Sequence, residues 1–363
     1  MVYITQLISE LTKPSGLWYI IFNYIDSFTF NFGWTIILFT LFIKLVLSPL
    51  DFYNRYSTKK NTLIQKKLAP QVEKINKTFA NDKNKANQQV NILYKREGYN
   101  MIGSCIFMLL NLVLTLVIFF TIYSSLRTTS NYKMLDQYIT LESVYDSTDG
   151  SEEEKKEAVI VKYNEIKDDW LWIKNIWRPD SNVSPIPSYN DFNKSLKNTK
   201  IYYNYAQENI TEEKYNAVMG NLITSNSKTW NGYFILAILA AVTSFLSQFV
   251  IELGNKVKKE KQINNKFNDP QLATKSAMNI MKFVMPIIMV IFVITNTASF
   301  GIYIVISSII SSLLSVIINS IVKKLTYKQE EEYIEQLEKN NLKIAKKRQI
   351  NYERPSIKPG AKL

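Results

Sequence analysis

Phe30-Asn-Phe-Gly-Trp-Thr-Ile-Ile-Leu-Phe-Thr-Leu-Phe-Ile-Lys44-Leu-Val-Leu-Ser-Pro-Leu50 carries one charge, Lys44, in a stretch otherwise dominated by Leu, Ile, Phe and Val. A hydrocarbon core about 30 Å thick takes about 20 helical residues to cross, so this stretch reads as a membrane span. Working outward, residues 102–126 and 232–253 are of the same kind, while the apolar stretch 280–322 is too long for one crossing. Asn296-Thr-Ala-Ser299 and Gly301 divide it into spans 280–296 and 301–322 joined by a tight hairpin. The expected fold class is an all-α polytopic membrane protein with five transmembrane helices.

The rest of the composition agrees. Of 363 residues, 47% are hydrophobic and 13% aromatic, yet the formal charge is +13, and the lysines fill the stretches between the apolar runs. There is no histidine, which excludes His-based acid/base catalysis, His ligation of a metal and Ser/His or Cys/His nucleophiles. The one cysteine, Cys105, lies inside an apolar run, where it reads as small filler without an intrachain disulfide partner. No paired intramembrane aspartates and no Walker-type phosphate loop occur, so no catalytic residue, metal or cofactor is expected and the chain does not read as an enzyme.

Orientation follows from lysine and arginine beside the span ends. Residues 51–101 hold eleven basic against four acidic side chains, 252–282 seven against three, and the tail after Val322 eleven against six. The segment 127–231 is net negative, with thirteen basic and sixteen acidic residues. The expectation is an extracytoplasmic N-terminus, a cytoplasmic basic region at 51–101, an enlarged extracytoplasmic loop at 127–231, a cytoplasmic loop at 254–279 and a basic cytoplasmic tail at 323–363. Within 1–29, Leu17, Ile20, Ile21, Tyr24 and Ile25 oppose Asn23 and Asp26, as in an amphipathic helix at the outer interface. No basic stretch precedes it, which argues against a cleaved signal peptide. In the 51–101 region, Ile64, Leu68, Val72, Ile75 and Phe79 share one helical face, Ala80-Asn-Asp82 reads as a turn, and Ala86, Val90, Leu93 and Tyr94 pack back. A helical hairpin results, with a kink expected at Pro70.

Lys44 is the residue most in need of explanation, because a charge within a span costs about 2.5–3.5 kcal/mol on insertion scales. One reading is snorkelling towards the cytoplasmic end, about 10 Å away. The other takes in its company, since Thr40 and Ser48 stand four residues to either side on the same face. The second span repeats the pattern with Ser104, Asn111 and Thr115, and the fifth with Ser308, Ser311, Ser312, Ser315 and Asn319. Hydroxyls alone are explained by close helix packing. Lys44 and Asn111 added to them point to a water-filled groove open to the cytoplasm, because amine and amide need water or partners. Trp170, Trp172 and Trp177 read as an interfacial aromatic belt, with a ligand site as the rarer alternative. The tail lysines, Lys346-Lys-Arg348 among them, suit anionic lipid or ribosomal RNA.

With the spans placed, the chain resembles the YidC/Oxa/Alb membrane protein insertase family, in its five-span Gram-positive form. Phe32-Gly-Trp-Thr-Ile-Ile37 through Lys44 to Ser48-Pro-Leu50 is similar to the family's first span, and Leu68-Ala-Pro70 to Leu93-Tyr-Lys-Arg-Glu-Gly-Tyr-Asn100 to the hairpin after it. Trp170-Leu-Trp-Ile173 with Asp180, Pro286 and Gly301-Ile-Tyr303 also fit. The chain departs from the pattern at Lys44, where arginine is usual, at Met101 and Phe107, where proline is usual, and at Asn111, where glutamine is usual. The resemblance implies an ATP-independent insertase and chaperone of the bacterial plasma membrane. Its groove would be open to cytoplasm and lipid, closed on the outer side, and lined here by Lys44, Thr40, Ser48, Asn111, Thr115, Ser308, Ser311, Ser315 and Asn319. It further implies nascent membrane proteins as clients, with the ribosome and the Sec translocase as partners. Two alternatives stand beside it: a secondary transporter, for which no internal repeat is visible, and a membrane scaffold whose outer loop binds a partner.

Overall fold

The computed structural model describes residues 11–29, 31–99, 101–255 and 270–352, with side chains for all of these except 101–108, 251–255, 270–282, 333, 336–338 and 340–352. The described residues are helical apart from connecting loops and one isolated bridge between Trp170 and Ile173. The helices are α1 (Leu17–Asp26), α2 (Phe32–Thr78), α3 (Lys83–Arg96), α4 (Met101–Ser147), α5 (Glu152–Ile166), α6 (Tyr189–Leu196), α7 (Lys200–Asn209), α8 (Glu212–Ser225), α9 (Ile235–Asn255), α10 (Pro270–Thr295) and α11 (Ala298–Tyr352). The expected loop at 254–279 falls largely outside the described residues, as do the chain's first ten and last eleven residues.

Three helices contain stretches long and apolar enough to cross a membrane, Phe32–Thr78, Leu109–Ser147 and Ala298–Glu332, and Ile235–Val250 and Phe283–Thr295 are shorter apolar stretches. In α4 only 11% of the apolar window is buried. Leu109, Leu110, Leu112, Val113, Val117 and Phe120 therefore stand exposed, an arrangement that water penalises and lipid does not. The divided 280–322 stretch is explained by Asn296, which lies in the break between α10 and α11 and whose amide donates back to Phe292 O at 2.8 Å.

The helices run further than the apolar runs alone foretell. α2 continues without a break through Pro49 and Pro70, so the span and the first arm of the hairpin are one helix. α4 continues some twenty residues beyond the apolar run that ends at Leu126, and α11 runs on to Tyr352.

The chain divides into two compact units. The first takes the residues up to Leu47, Val113–Leu253 and α10 with α11 as far as Ser315. Within it, the segment expected to be an outer loop is a folded helical domain. Three of its short helices start on a side-chain cap: Ser151 with Glu154 in a capping box on α5, Ser188 on α6 and Thr211 on α8. Its core is unusually rich in tyrosine. Tyr138, Tyr202 and Tyr215 are each at most 2% exposed, and they satisfy their hydroxyls on Glu142, on the carbonyl of Thr12 and on that of Pro187. In the same unit α1 packs Trp18 and Phe22 against Phe39 of α2, and leaves Leu17, Ile20 and Tyr24 exposed.

The second unit takes Ser48–Leu112 and the chain from Val316 onward. Asp82 caps α3 by accepting from Lys85 N at 3.0 Å, and Gln65 of α2 donates to the Tyr99 hydroxyl at 2.5 Å, which closes the hairpin. Leu63 and Leu68 of α2, Ala86 and Leu93 of α3, and Ile318, Val322 and Thr326 of α11 are buried.

Candidate functional site

The residues expected to line a groove fall on α2, α4 and α11. On α2, Thr40 is fully buried and donates its hydroxyl to Ile36 O at 2.6 Å, while Lys44 and Ser48 are half-buried. On α4, Asn111 is half-buried and Thr115 exposed; the side chain of Ser104 lies outside those described. On α11, Ser312 donates to Ser308 O at 2.8 Å and Ser315 to Ser311 O at 2.6 Å, and the hydroxyls of Ser308 and Ser244 meet at 3.4 Å. A hydroxyl that returns its proton to the carbonyl one turn back costs an apolar environment little, which is why such residues are tolerated in spans.

Both stripes continue beyond the apolar runs. Arg55 and Lys59 lie eleven and fifteen residues after Lys44, close to the same face of α2, and Thr326 and Glu330 stand seven and eleven after Asn319 on α11. The two helices meet there. Arg55 donates to the Asn319 side-chain oxygen at 3.1 Å, and Lys59 pairs with Glu330 at 3.6 Å with both side chains under one-tenth exposed. Reading the sequence for intramembrane charge passed over Arg55. The available signal was composition: only six of 44 basic residues are arginine, so Arg55 stands out among the lysines around it.

The tryptophan segment is not a belt alone. Trp177 is 2% exposed, meets Phe32 at a tilt of 54° with centroids 4.8 Å apart and donates its indole N–H to Asp168 at 2.8 Å. Trp170 covers Gly33 so closely that a Cβ there would overlap its ring. The buried carboxylate of Asp180 accepts from Tyr233 N (2.9 Å) and Leu236 N (2.6 Å), which caps the start of α9, and a Cβ on Gly232 would strike it. The carbonyls of Arg178 and Ile176 accept from Ala298 N (2.8 Å) and Ser299 N (2.9 Å), the first amides of α11. One segment, 168–181, thus ties together the N-terminal ends of α2, α9 and α11.

The family model described as "60Kd inner membrane protein", that of the YidC/Oxa insertases, matches residues 24–325. The chain belongs to that family. Relatives of this family member include proteins named membrane protein insertase YidC from Helicobacter pylori (32% identical over 105 residues, 29% of this chain and 18% of that one), Roseobacter denitrificans (36% over 113 residues, 31% and 17%) and Leptospira interrogans (36% over 99 residues, 27% and 14%). The chain thus spans less than a fifth of each of these curated relatives. No solved structure matches.

Proposed function

We propose that the chain is an insertase and chaperone for nascent membrane proteins in the bacterial plasma membrane, crossing five times with its N-terminus outside and its C-terminus in the cytoplasm. The observation that carries this reading is family membership across residues 24–325. The lengths of the two shorter apolar helices support the crossing count, since α9 with 21 residues and α10 with 26 extend about 31 and 39 Å at 1.5 Å per residue.

The groove of this reading is lined by Thr40, Lys44 and Ser48 of α2, Asn111 and Thr115 of α4, and Ser308, Ser311, Ser315 and Asn319 of α11. Its positive charge draws in the short polar or acidic segment of a client, and its water shortens the hydrocarbon path that segment crosses. The client's own span moves into lipid, where burying about 20 apolar residues releases on the order of tens of kcal/mol, so no nucleotide is required. Basic cytoplasmic surfaces would meet anionic lipid and ribosomal RNA, and the Sec translocase is a further partner.

Depletion of the host insertase followed by complementation tests the reading, with membrane insertion of a small phage-coat or ATP-synthase c-type client as the readout. The parent chain and Lys44→Arg restore insertion, and Lys44→Glu does not. Failure of the parent chain overturns the insertase reading; full activity of Lys44→Glu overturns only the role of the groove charge.

A further inference from the structure

Trp170 and Ile173 exchange two backbone hydrogen bonds, N to O at 2.8 and 2.9 Å, across a two-residue tip, Leu171-Trp172. Leu171 sits at φ 51°, in the left-handed region that Gly, Asn and Asp fill at little cost and that leucine adopts against a penalty of about 1–2 kcal/mol. Its side chain is nonetheless 69% exposed, more than any other large apolar side chain described. A strained backbone that presents a bulky apolar group to the surroundings calls for an occupant.

The surroundings identify that occupant. Trp170, next to the tip, lies over Gly33 and meets Trp34 edge-on at 6.2 Å, so the tip stands beside the first turn of α2. Trp34 is itself 52% exposed and begins the exposed apolar face that runs down α2 through Leu38, Leu41 and Phe42, a face that belongs to a candidate span. On the other side, Lys174 N donates to Asn231 O at 3.1 Å, which brings the hairpin against Trp230 and Tyr233, both about half exposed, at the entry to α9. Exposed aromatic rings at the entries of two apolar helices mark the membrane–water boundary. The tip's base is polar, with Lys174 exposed and Lys167 paired with Asp169 at 3.5 Å, as suits the headgroup layer. We infer that Leu171 is a lipid wedge: the 170–173 hairpin inserts its tip among the acyl chains of the leaflet that α2 enters, beside a ring formed by Trp34, Trp230 and Tyr233. The inference concerns lipid contact and is independent of the insertase reading.

The test uses the full chain with Cys105→Ser and Leu171→Cys, labelled with the fluorophore NBD and reconstituted in phosphatidylethanolamine/phosphatidylglycerol vesicles. A phospholipid spin-labelled on its acyl chain near the glycerol should quench the probe severalfold more than iodide supplied on both sides of the membrane. Val161→Cys serves as the comparison, because Val161 is exposed and shares a shallow cleft with Val144, some 27 Å further along α4 than Leu126. That probe should show the opposite preference. Three results overturn the inference: iodide quenching that dominates at Leu171→Cys, which puts the tip in water; protection from both quenchers, which puts a protein over it; and equal lipid quenching at Val161→Cys, which means the outer domain lies on the membrane as a whole.

Discussion

Asp180 shows how much one carboxylate can hold when it replaces water at a helix start. It is 2% exposed and accepts two backbone amides across Phe234, which sits at φ 60°. Asp180→Ala leaves the Leu236 amide buried and unpaired and uncaps that of Tyr233, so a loss of about 1–2 kcal/mol is expected, read as a lower melting temperature in detergent, with Asp180→Asn recovering part of it. Asp168 behaves differently. Burial lifts its carboxyl above the ordinary carboxylate range, against the opposing pull of Lys133 and the Trp177 indole N–H, and Asp26 and Asp169 push it further up. The folded chain then holds this proton to higher pH than the unfolded chain. The group's contribution is full below the unfolded value of about 3.9 and is lost as pH rises through the folded value. Asp168→Asn, which can still accept from Trp177, should therefore melt higher than the parent at neutral pH, with the gap closing as the buffer is acidified; a constant gap across that range would count against it. Neither aspartate stood out in the sequence beyond the likeness of Asp180 to a family position, because a capping or buried carboxylate looks like any other until the amides around it are placed.

Among the elements, α2 and α11 matter most, and their contacts show where sequence reading stops. Hydropathy delimits spans well, since Lys44 is the one charge in 30–50, but it marks where lipid ends rather than where a helix does. Beyond each span the helical period carries on in polar residues, and Lys59 with Glu330 and Arg55 with Asn319 bind the two extensions in the second unit. Removing Glu330 takes the carboxylate away from the buried Lys59 ammonium. Glu330→Met alone should cost about 3 kcal/mol, while the double variant Lys59→Met, Glu330→Met should be closer to neutral. Protease sensitivity of the 51–99 hairpin in membranes reads this directly, and a single variant as resistant as the parent would refute it.

For the molecule as a whole, the all-helical class and the long apolar helices were legible in the sequence, while the folding of residues 127–231 was not. Tyr132, Leu135, Tyr138, Ile139 and Tyr145 do keep a helical spacing, but tyrosine reads as surface until its hydroxyl is seen to find a buried partner. This changes the experiment that separates an insertase from a scaffold. Replacing all of 127–231 by a linker removes the caps on α9 and α11, and such a chain should fail to accumulate under either reading. Replacing only α6 to α8, with 168–181 kept, is the discriminating swap: an insertase retains client insertion and a scaffold loses its function. The hydroxyls of Thr40 and Ser315, each folded back on its own helix, have a further consequence for the proposed groove. Each proton is already spent on a backbone carbonyl, so what such a hydroxyl has left to offer is an acceptor oxygen. On that proposal, a wall of self-satisfied hydroxyls would demand no fixed pattern of bonds from a client, wetting sequences of any kind alike and gripping none of them.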